Sequence, residues 1–414
     1  MSNEILDALS QITREKSVDR QMLVETLEVG LASAVRKKHG ATADVEVHFD
    51  DKTGALEAYA KQTQAGLMLG LEYATGGTMS VLGRKIVVIE KDSQLKPDAG
   101  KSQLAAAYGD DKADLAIGPT GSGVALAMLP VAEEYKKLLL VEPAVADTIT
   151  GANWNRYIFR TGRTSSQDGI AAAVATPQNA QIAMLAQDYA FGRDGVKATK
   201  DALAAIGSKA QVVHEEYVPQ ATTDFTAAAQ RMFDALKDKP GTRIIGIIWA
   251  GPHPLAKLAD MKPERFGIQL APGGNILPVM KGWKDFAGVE GAIYYYYGFP
   301  KNKVNDWMVT EYRKRYGGTP PDFFVAGGMA AGIAAVEAIK KAGGTDTEKL
   351  IAAMEGMSFE TPKGQMTFRK EDHQALQNMY QFRIKKTQAN EWDLLELVRE
   401  IPAKEIPLPI RNKR

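Results

Sequence analysis

A short apolar run, Leu115 to Ile117, stops at Gly118-Pro119 and opens through Gly121-Ser122-Gly123 into a stretch carrying Val124, Met128 and Val131 at helical spacing. The pattern reads as a buried strand, a tight glycine-rich turn and a helix with Ser122 as its N-cap. A strand feeding a helix in this way constrains the chain to an α/β architecture. Such a turn also presents unpaired N–H groups at the positive end of a helix, which suits an anion. No lysine follows the glycines, so it is not a Walker-type phosphate loop. An ordinary strand-to-helix connection has the same local sequence.

The rest of the chain repeats this grammar. Apolar runs at Lys85–Glu90, Leu138–Val141, Tyr157–Arg160, Ile182–Leu185, Ala210–Val218, Ile244–Trp249, Gly267–Leu270 and Ala292–Tyr297 alternate with helical stretches. Helices are expected at Tyr59–Tyr73, Ser102–Tyr108, Asp168–Ala175 and Phe225–Leu236. Two tandem series of similar size imply two parallel sheets, each covered by helices, with a cleft between them. After Pro300 come helices at Asp306–Tyr316, Phe324–Lys341 and Thr347–Met354, then strands at Gly364–Phe368 and Met379–Ile384. Pro402–Arg414 carries three prolines and no periodicity, as expected of a surface tail.

Composition narrows the function classes. A net charge of +1 over 414 residues gives no bulk field for nucleic acid or an anionic membrane. The absence of cysteine excludes disulfides, thiolate nucleophiles and zinc–cysteine sites. The five histidines, at 39, 48, 214, 253 and 373, show no metal-ligand spacing. No Ser–His–Asp order or carboxylate pair stands out, so neither an enzyme nor a cofactor is expected. No apolar run is expected to span a membrane. Residues 1–7 have neither the basic nor the apolar part of a secretory signal, which reads as cytoplasmic for the chain as given.

Residues 3–39 read as two amphipathic helices, with Ile5, Leu9 and Ile12 on one face of the first and Leu23, Leu27, Leu31 and Val35 on the second. Val45-Glu46-Val47-His48-Phe49 alternates as a half-buried strand, and Asp50–Gly54 is a turn. Glu4–Leu9, Arg14-Glu15-Lys16, Leu27-Glu28, Leu31–Ala34, Arg36-Lys37-Lys38, Asp44–Val47 and Lys52-Thr53-Gly54 resemble the start of the N-terminal domain of the transcription elongation factor NusA. That resemblance covers residues 1–54 and implies RNA polymerase as a partner.

Other stretches carry a second resemblance. They are Tyr59 with Gln64-Ala65-Gly66, Leu82–Ile86, Ile117-Gly118-Pro119 with Ser122–Ala125, Phe159-Arg160-Thr161, Asp188–Gly192 and Lys363-Gly364. In this order, from residue 55 onward, the chain is similar to the type I solute-binding proteins of ABC importers, in the group of branched-chain amino-acid and aromatic-acid receptors. The resemblance implies two Rossmann-like lobes joined by three crossovers, near Thr161, Pro300 and Phe359, and a periplasmic location. Lobe 1 would take residues 55–160 and 301–358, lobe 2 residues 161–300 and 359–400, and residues 401–414 the tail. An ABC permease would be the membrane partner.

The resemblance also gives roles. Ser122 with the N–H groups of Gly121 and Gly123 matches the carboxylate site, and Ala144, Val145 and Ala146 match a loop offering backbone groups. Phe191, Trp249 and the Gly273–Asn275 loop face them from the other lobe. Amino-acid receptors place an acidic residue in that last loop for the ligand ammonium, whereas this chain has Gly273-Gly274-Asn275. A desolvated ammonium without a carboxylate is costly. The expected ligand is therefore a small carboxylate without an α-ammonium, aromatic, held among Tyr59, Phe191, Trp249 and Tyr295. Arg163 is a candidate cation, and also a candidate for a plain surface ion pair. The competing readings are a branched-chain amino-acid receptor and a cytoplasmic sensor or transcription adaptor acting through residues 1–54.

The two resemblances meet in conflict. The receptor family begins with a buried, apolar central strand, and here Val45–Phe49 stands in its place. The expectation is that this strand fills the slot, as in a natural or engineered fusion, although Glu46 and His48 fit poorly in a strand covered on both faces.

Overall fold

A computed structural model describes residues 62–219, 221–249 and 253–413, and the backbone of two strands at 45–49 and 56–60. The helices expected over 3–39 lie outside the described residues. The first two strands, β1 (Val45–Phe49) and β2 (Leu56–Ala60), pair antiparallel with each other, Val45 opposite Ala60, and with no other strand. The expectation that Val45–Phe49 fills the first-lobe sheet is thereby overturned. Both strands alternate polar and apolar residues, a pattern that suits a ribbon with one open face and not a strand sandwiched between helices. Tyr59 consequently sits on β2 and not on a helix; the helix α1 begins at Gln62 and runs to Ala74.

The first lobe follows as β3 (Ser80–Val81), β4 (Arg84–Lys85), α2 (Pro97–Gly109), β5 (Leu115–Ile117), α3 (Ser122–Tyr135), β6 (Leu138–Val141) and β7 (Ile158–Arg160). Its parallel sheet has the order β5-β6-β7. All four residues of β6 are at most 1% exposed, so the middle strand is the lobe's core. The strand expected over Lys85–Glu90 does not form beyond Lys85. Among the described residues no strand stands beside it to form a ladder. Ile86 and Val88 still pack against Leu71, Val81 and Val336, whereas Val87 is 74% exposed and Ile89 47%.

The second lobe comprises α4 (Ser165–Ala175), β8 (Gln181–Gln187), α5 (Ala190–Ala205), β9 (Gln211–Val218), α6 (Thr226–Leu236), β10 (Arg243–Ile248), α7 (Leu255–Asp260), β11 (Ile268–Pro272), α8 (Leu277–Met280) and β12 (Glu290–Ile293). Its main sheet, β11-β10-β8-β9, is parallel throughout.

The chain then returns to the first lobe as α9 (Lys303–Arg315), α10 (Phe323–Ala342) and α11 (Thr347–Met354). Helices α1 and α10 touch backbone to backbone. A Cβ at Gly66 would lie 2.1 Å from Val325 O, and one at Gly328 2.0 Å from Thr63 O. Against the expectation from sequence, α10 is long and apolar enough to span a membrane, but 78% of its most apolar window is buried within the fold. It is a core helix.

The next hairpins, β13 (Ser358–Thr361), β14 (Gly364–Phe368) and β15 (Ala375–Leu376), form their own sheet, and Gln374 bridges in parallel to Arg160 at the edge of β7. Only β16 (Met379–Ile384) and β17 (Leu395–Ile401) join the second-lobe strand β12. The last passage between sheets thus falls at residues 377–378, after the hairpins that follow Phe359. The tail is tied down by Arg369, which donates to Leu408 O at 2.6 Å, and by an Arg411–Asp201 ion pair at 2.6 Å.

Candidate functional site

The glycine-rich turn sits where the sequence puts it, at the C-terminal end of β5. Gly121, not Ser122, is the N-cap of α3, and Ser122 is the first helical residue. Its hydroxyl bridges two segments: Oγ accepts from Val145 N–H at 3.3 Å and from Ala146 N–H at 3.2 Å. Those two bonds occupy both lone pairs of the hydroxyl and leave its proton to be donated elsewhere. A Cβ added at Gly123 would meet nothing within 4 Å, so the first turn of α3 borders open space. Its N–H groups carry the positive end of a 14-residue helix.

The loop after β6 plays a different part from the one expected. Ala144 N–H is bonded to Pro119 O, and the amides of Val145 and Ala146 are taken by Ser122. Val145 O accepts from Ser165 N–H, and Ala146 O from the buried Arg160 at 2.7 Å. This loop orients Ser122 and has no spare N–H of its own.

From the second lobe, Phe191 and Tyr189 lie partly exposed at the entry to α5, with ring centroids 5.8 Å apart. Gly192 lets that turn close, because a Cβ there would fall 1.9 Å from Gln187 O. Burial pushes the Tyr189 phenol up to about 12, so it remains a neutral donor. Sequence reading passed over Tyr189 in favour of Phe191, although both belong to the same motif.

Several expected aromatic contacts are core instead. Trp249 is 6% exposed and packs edge-on against Phe225 at 5.3 Å. Tyr295 is 1% exposed and donates to Asn305 Oδ1 at 2.9 Å. The side chain of Tyr59 lies outside the described residues. Asn275 is 5% exposed and bound up locally: Oδ1 accepts from Ile276 N–H at 2.8 Å, and Nδ2 donates to Trp249 O at 3.4 Å. Gly273 N–H reaches Ile247 O, and Gly274 N–H reaches Ala292 O at 2.8 Å. This loop is a braced wall with no acidic side chain. His253 is structural too: its Nδ1 accepts from Leu255 N–H, and burial pulls it down to about 3.

A polar belt runs through the three passages between lobes. Arg163 pairs through Nε with both oxygens of Asp168 at 2.8 Å, and its guanidinium lies 4.2 Å from the Tyr294 ring centroid. Its side chain is 14% exposed, so this is no surface ion pair. Nη1 and Nη2 make no hydrogen bond among the described residues. Glu142 accepts from the Thr161 hydroxyl at 2.9 Å through Oε2, while Oε1 has no partner among the described residues. Burial pushes this carboxyl up, and the charge of Lys363 opposes that. Lys363 is 1% exposed, donates to Gln377 Oε1 at 2.5 Å, and is pulled down by burial to about 8. Gln377 closes the belt by donating to Thr161 O at 3.2 Å. Nothing in the sequence marks these groups as neighbours, since they come from four separate segments. Among the described residues no group of acidic or histidine side chains is disposed to hold a metal.

The comparisons agree with this architecture. The family model for periplasmic binding proteins matches residues 48–389, and that for the NusA N-terminal domain matches residues 4–65. The two matches overlap around the Thr53-Gly54 turn. The Leu/Ile/Val-binding protein BraC3 of Rhizobium johnstonii is 24% identical over 359 residues, covering 84% of this chain and 93% of that protein. A crystal structure of an ABC-type branched-chain amino acid transporter from Rhodopseudomonas palustris CGA009 is 63% identical, with a TM-score of 0.79 over 86% of this chain and 96% of that one. A solute binding protein from Rhodopseudomonas palustris BisB5, in complex with 3,4-dihydroxy benzoic acid, is 29% identical, with a TM-score of 0.71 over 83% and 93%. NusA of Bacillus subtilis is 31% identical over 62 residues, which is 17% of that protein, and so short a likeness brings no polymerase contact with it. The chain belongs to the periplasmic binding proteins of ABC transporters, in their type I fold, with a NusA-like segment at its N-terminus.

Proposed function

We propose that the cleft binds a small carboxylate, aromatic and without an α-ammonium, by closure of the two lobes, for delivery to a membrane permease. The observation that carries this is the Ser122 hydroxyl. Its lone pairs are held by Val145 and Ala146, so its proton faces a ligand as a donor beside the positive end of α3. A carboxylate accepts from both sources at once. Phe191 and Tyr189 offer partly exposed rings for an aromatic body. The relative that holds 3,4-dihydroxy benzoic acid supports the same class.

The second reading is a branched-chain amino acid, favoured by the name of the 63% identical structure. An ammonium would need a free carboxylate oxygen. The Gly273–Asn275 loop has none, and Asp168 is engaged by Arg163. Glu142 Oε1 is unpartnered, but a Cβ at Gly327 would lie 2.1 Å from it, so it is pressed against α10. A calorimetric screen of benzoate, hydroxybenzoates, leucine and valine decides between the two. Binding of the aryl carboxylates without leucine is the expected result, and binding of leucine alone overturns it.

A further inference from the structure

Asp322 is 4% exposed at the N-cap of α10. Its Oδ1 accepts from the N–H of Phe323, the first residue of its own helix, at 2.6 Å. Its Oδ2 accepts from Leu277 N–H at 2.8 Å. Leu277 opens α8 and packs in the second-lobe core with Met280 and Trp283, whereas α10 packs on α1 in the first lobe. One carboxylate therefore grips a backbone N–H from each lobe. Leu277 directly follows the loop Gly273–Ile276, and Asn275 ties that loop to Trp249 O. The Gly273–Ile276 loop, and Trp249 bonded to it, are thereby linked through Leu277 to Asp322.

We propose that Asp322 is a positioning residue for ligand capture: its ionised carboxylate holds the Gly273–Leu277 wall against the first lobe, and protonation slackens that hold. The proposal rests on the cleft being the ligand site. An ionised carboxylate accepts at both oxygens, whereas a protonated one turns an oxygen into a buried donor that opposes one of the two N–H groups. Burial pushes the carboxyl up to about 7, against the pull of its two N–H donors, so the switch lies near neutral pH. The groups coupled to it are phenols, Tyr294 and Tyr295 after β12 and Tyr312 from α9, all raised by burial and uncharged at neutral pH, and the Arg163 guanidinium lies one ring away, against Tyr294 at 4.2 Å and Phe323 at 5.7 Å. Residues 273–280 contain no titratable side chain, and no lysine or arginine contributes to the shift of Asp322.

Stability and capture then move in opposite directions. A carboxyl raised in the folded state contributes stability below its unfolded value, near 4, and that contribution is lost as pH rises through about 7. Ligand capture instead improves as pH rises through the same range. A merely structural aspartate would show only the first effect.

The test follows the Leu277 amide by NMR in the unaltered protein from about pH 5.5 to about pH 8.5, with benzoate affinity measured at both ends. The expected result is a Leu277 amide that titrates near neutrality, and an affinity about fivefold weaker at the acidic end. Asp322→Asn, checked for folding by its melting curve, loses both dependences. A Leu277 amide that ignores pH, a benzoate affinity that ignores pH, or an unchanged pH profile in Asp322→Asn overturns the proposal. Should the amide titrate while benzoate binds at neither pH, the grip on Leu277 stands and the carboxylate reading falls.

Discussion

Ser122 concentrates the chemistry at the residue scale. Replacing it with alanine removes the proposed ligand donor and leaves the amides of Val145 and Ala146 without their acceptor. The expected cost in affinity is about tenfold or more, on the order of 1–2 kcal/mol, with a comparable loss in folding stability. Calorimetry with benzoate and a denaturant curve check the two parts, and an unchanged affinity would remove Ser122 from the site. The strand, glycine-rich turn and helix around Ser122 were legible because glycine, serine and helix spacing are local signals, although the N-cap is Gly121. The roles of Trp249 and Asn275 were not, because each depends on partners that only the folded chain supplies. Phe225 turns Trp249 into core, and Trp249 O and Ile276 N–H absorb the amide of Asn275. The same holds for Asp322, whose second bond reaches 45 residues back along the chain.

At the scale of elements, α1 and α10 meet backbone to backbone in the first lobe. Four glycines, 66, 70, 328 and 332, let the helices meet without intervening side chains. A Cβ at Gly328 would overlap Thr63 O at 2.0 Å, and backbone cannot step aside as a flexible side chain can. Gly328→Ala should therefore destabilise the protein by about 3 kcal/mol. Gly344→Ala, just past the same helix with nothing within 4 Å of the new Cβ, should be close to neutral. Urea midpoints for both variants check this, and equal midpoints would refute the close-contact account. The helix over this run was expected from sequence, at Phe324–Lys341. Its length and apolarity also match a membrane span, and burial alone separates the two.

At the scale of the molecule, the two lobes differ in what holds them. The second lobe has a four-stranded parallel sheet and a three-stranded antiparallel one. The first lobe's parallel sheet has three strands among the described residues, with β5 at its edge. Both βα series were visible in the sequence as alternating apolar runs. What that alternation could not show is that a strand-like segment needs a neighbouring strand: residues 86–89 have the composition of a strand and ladder with no strand among the described residues. An edge strand of three residues opens at lower free energy than strands laddered on both sides. Hydrogen exchange should thus be faster at the amides of β5 and residues 86–90 than at β8 and β10, which occupy the interior of the second sheet. A ligand gripped by both lobes binds only when both are folded, so it should slow exchange in the first lobe as well. Protection of β5 equal to that of β10 without ligand would mean that the edge is covered in solution. Protection that rises only in the second lobe on adding the ligand would place the binding site away from Ser122.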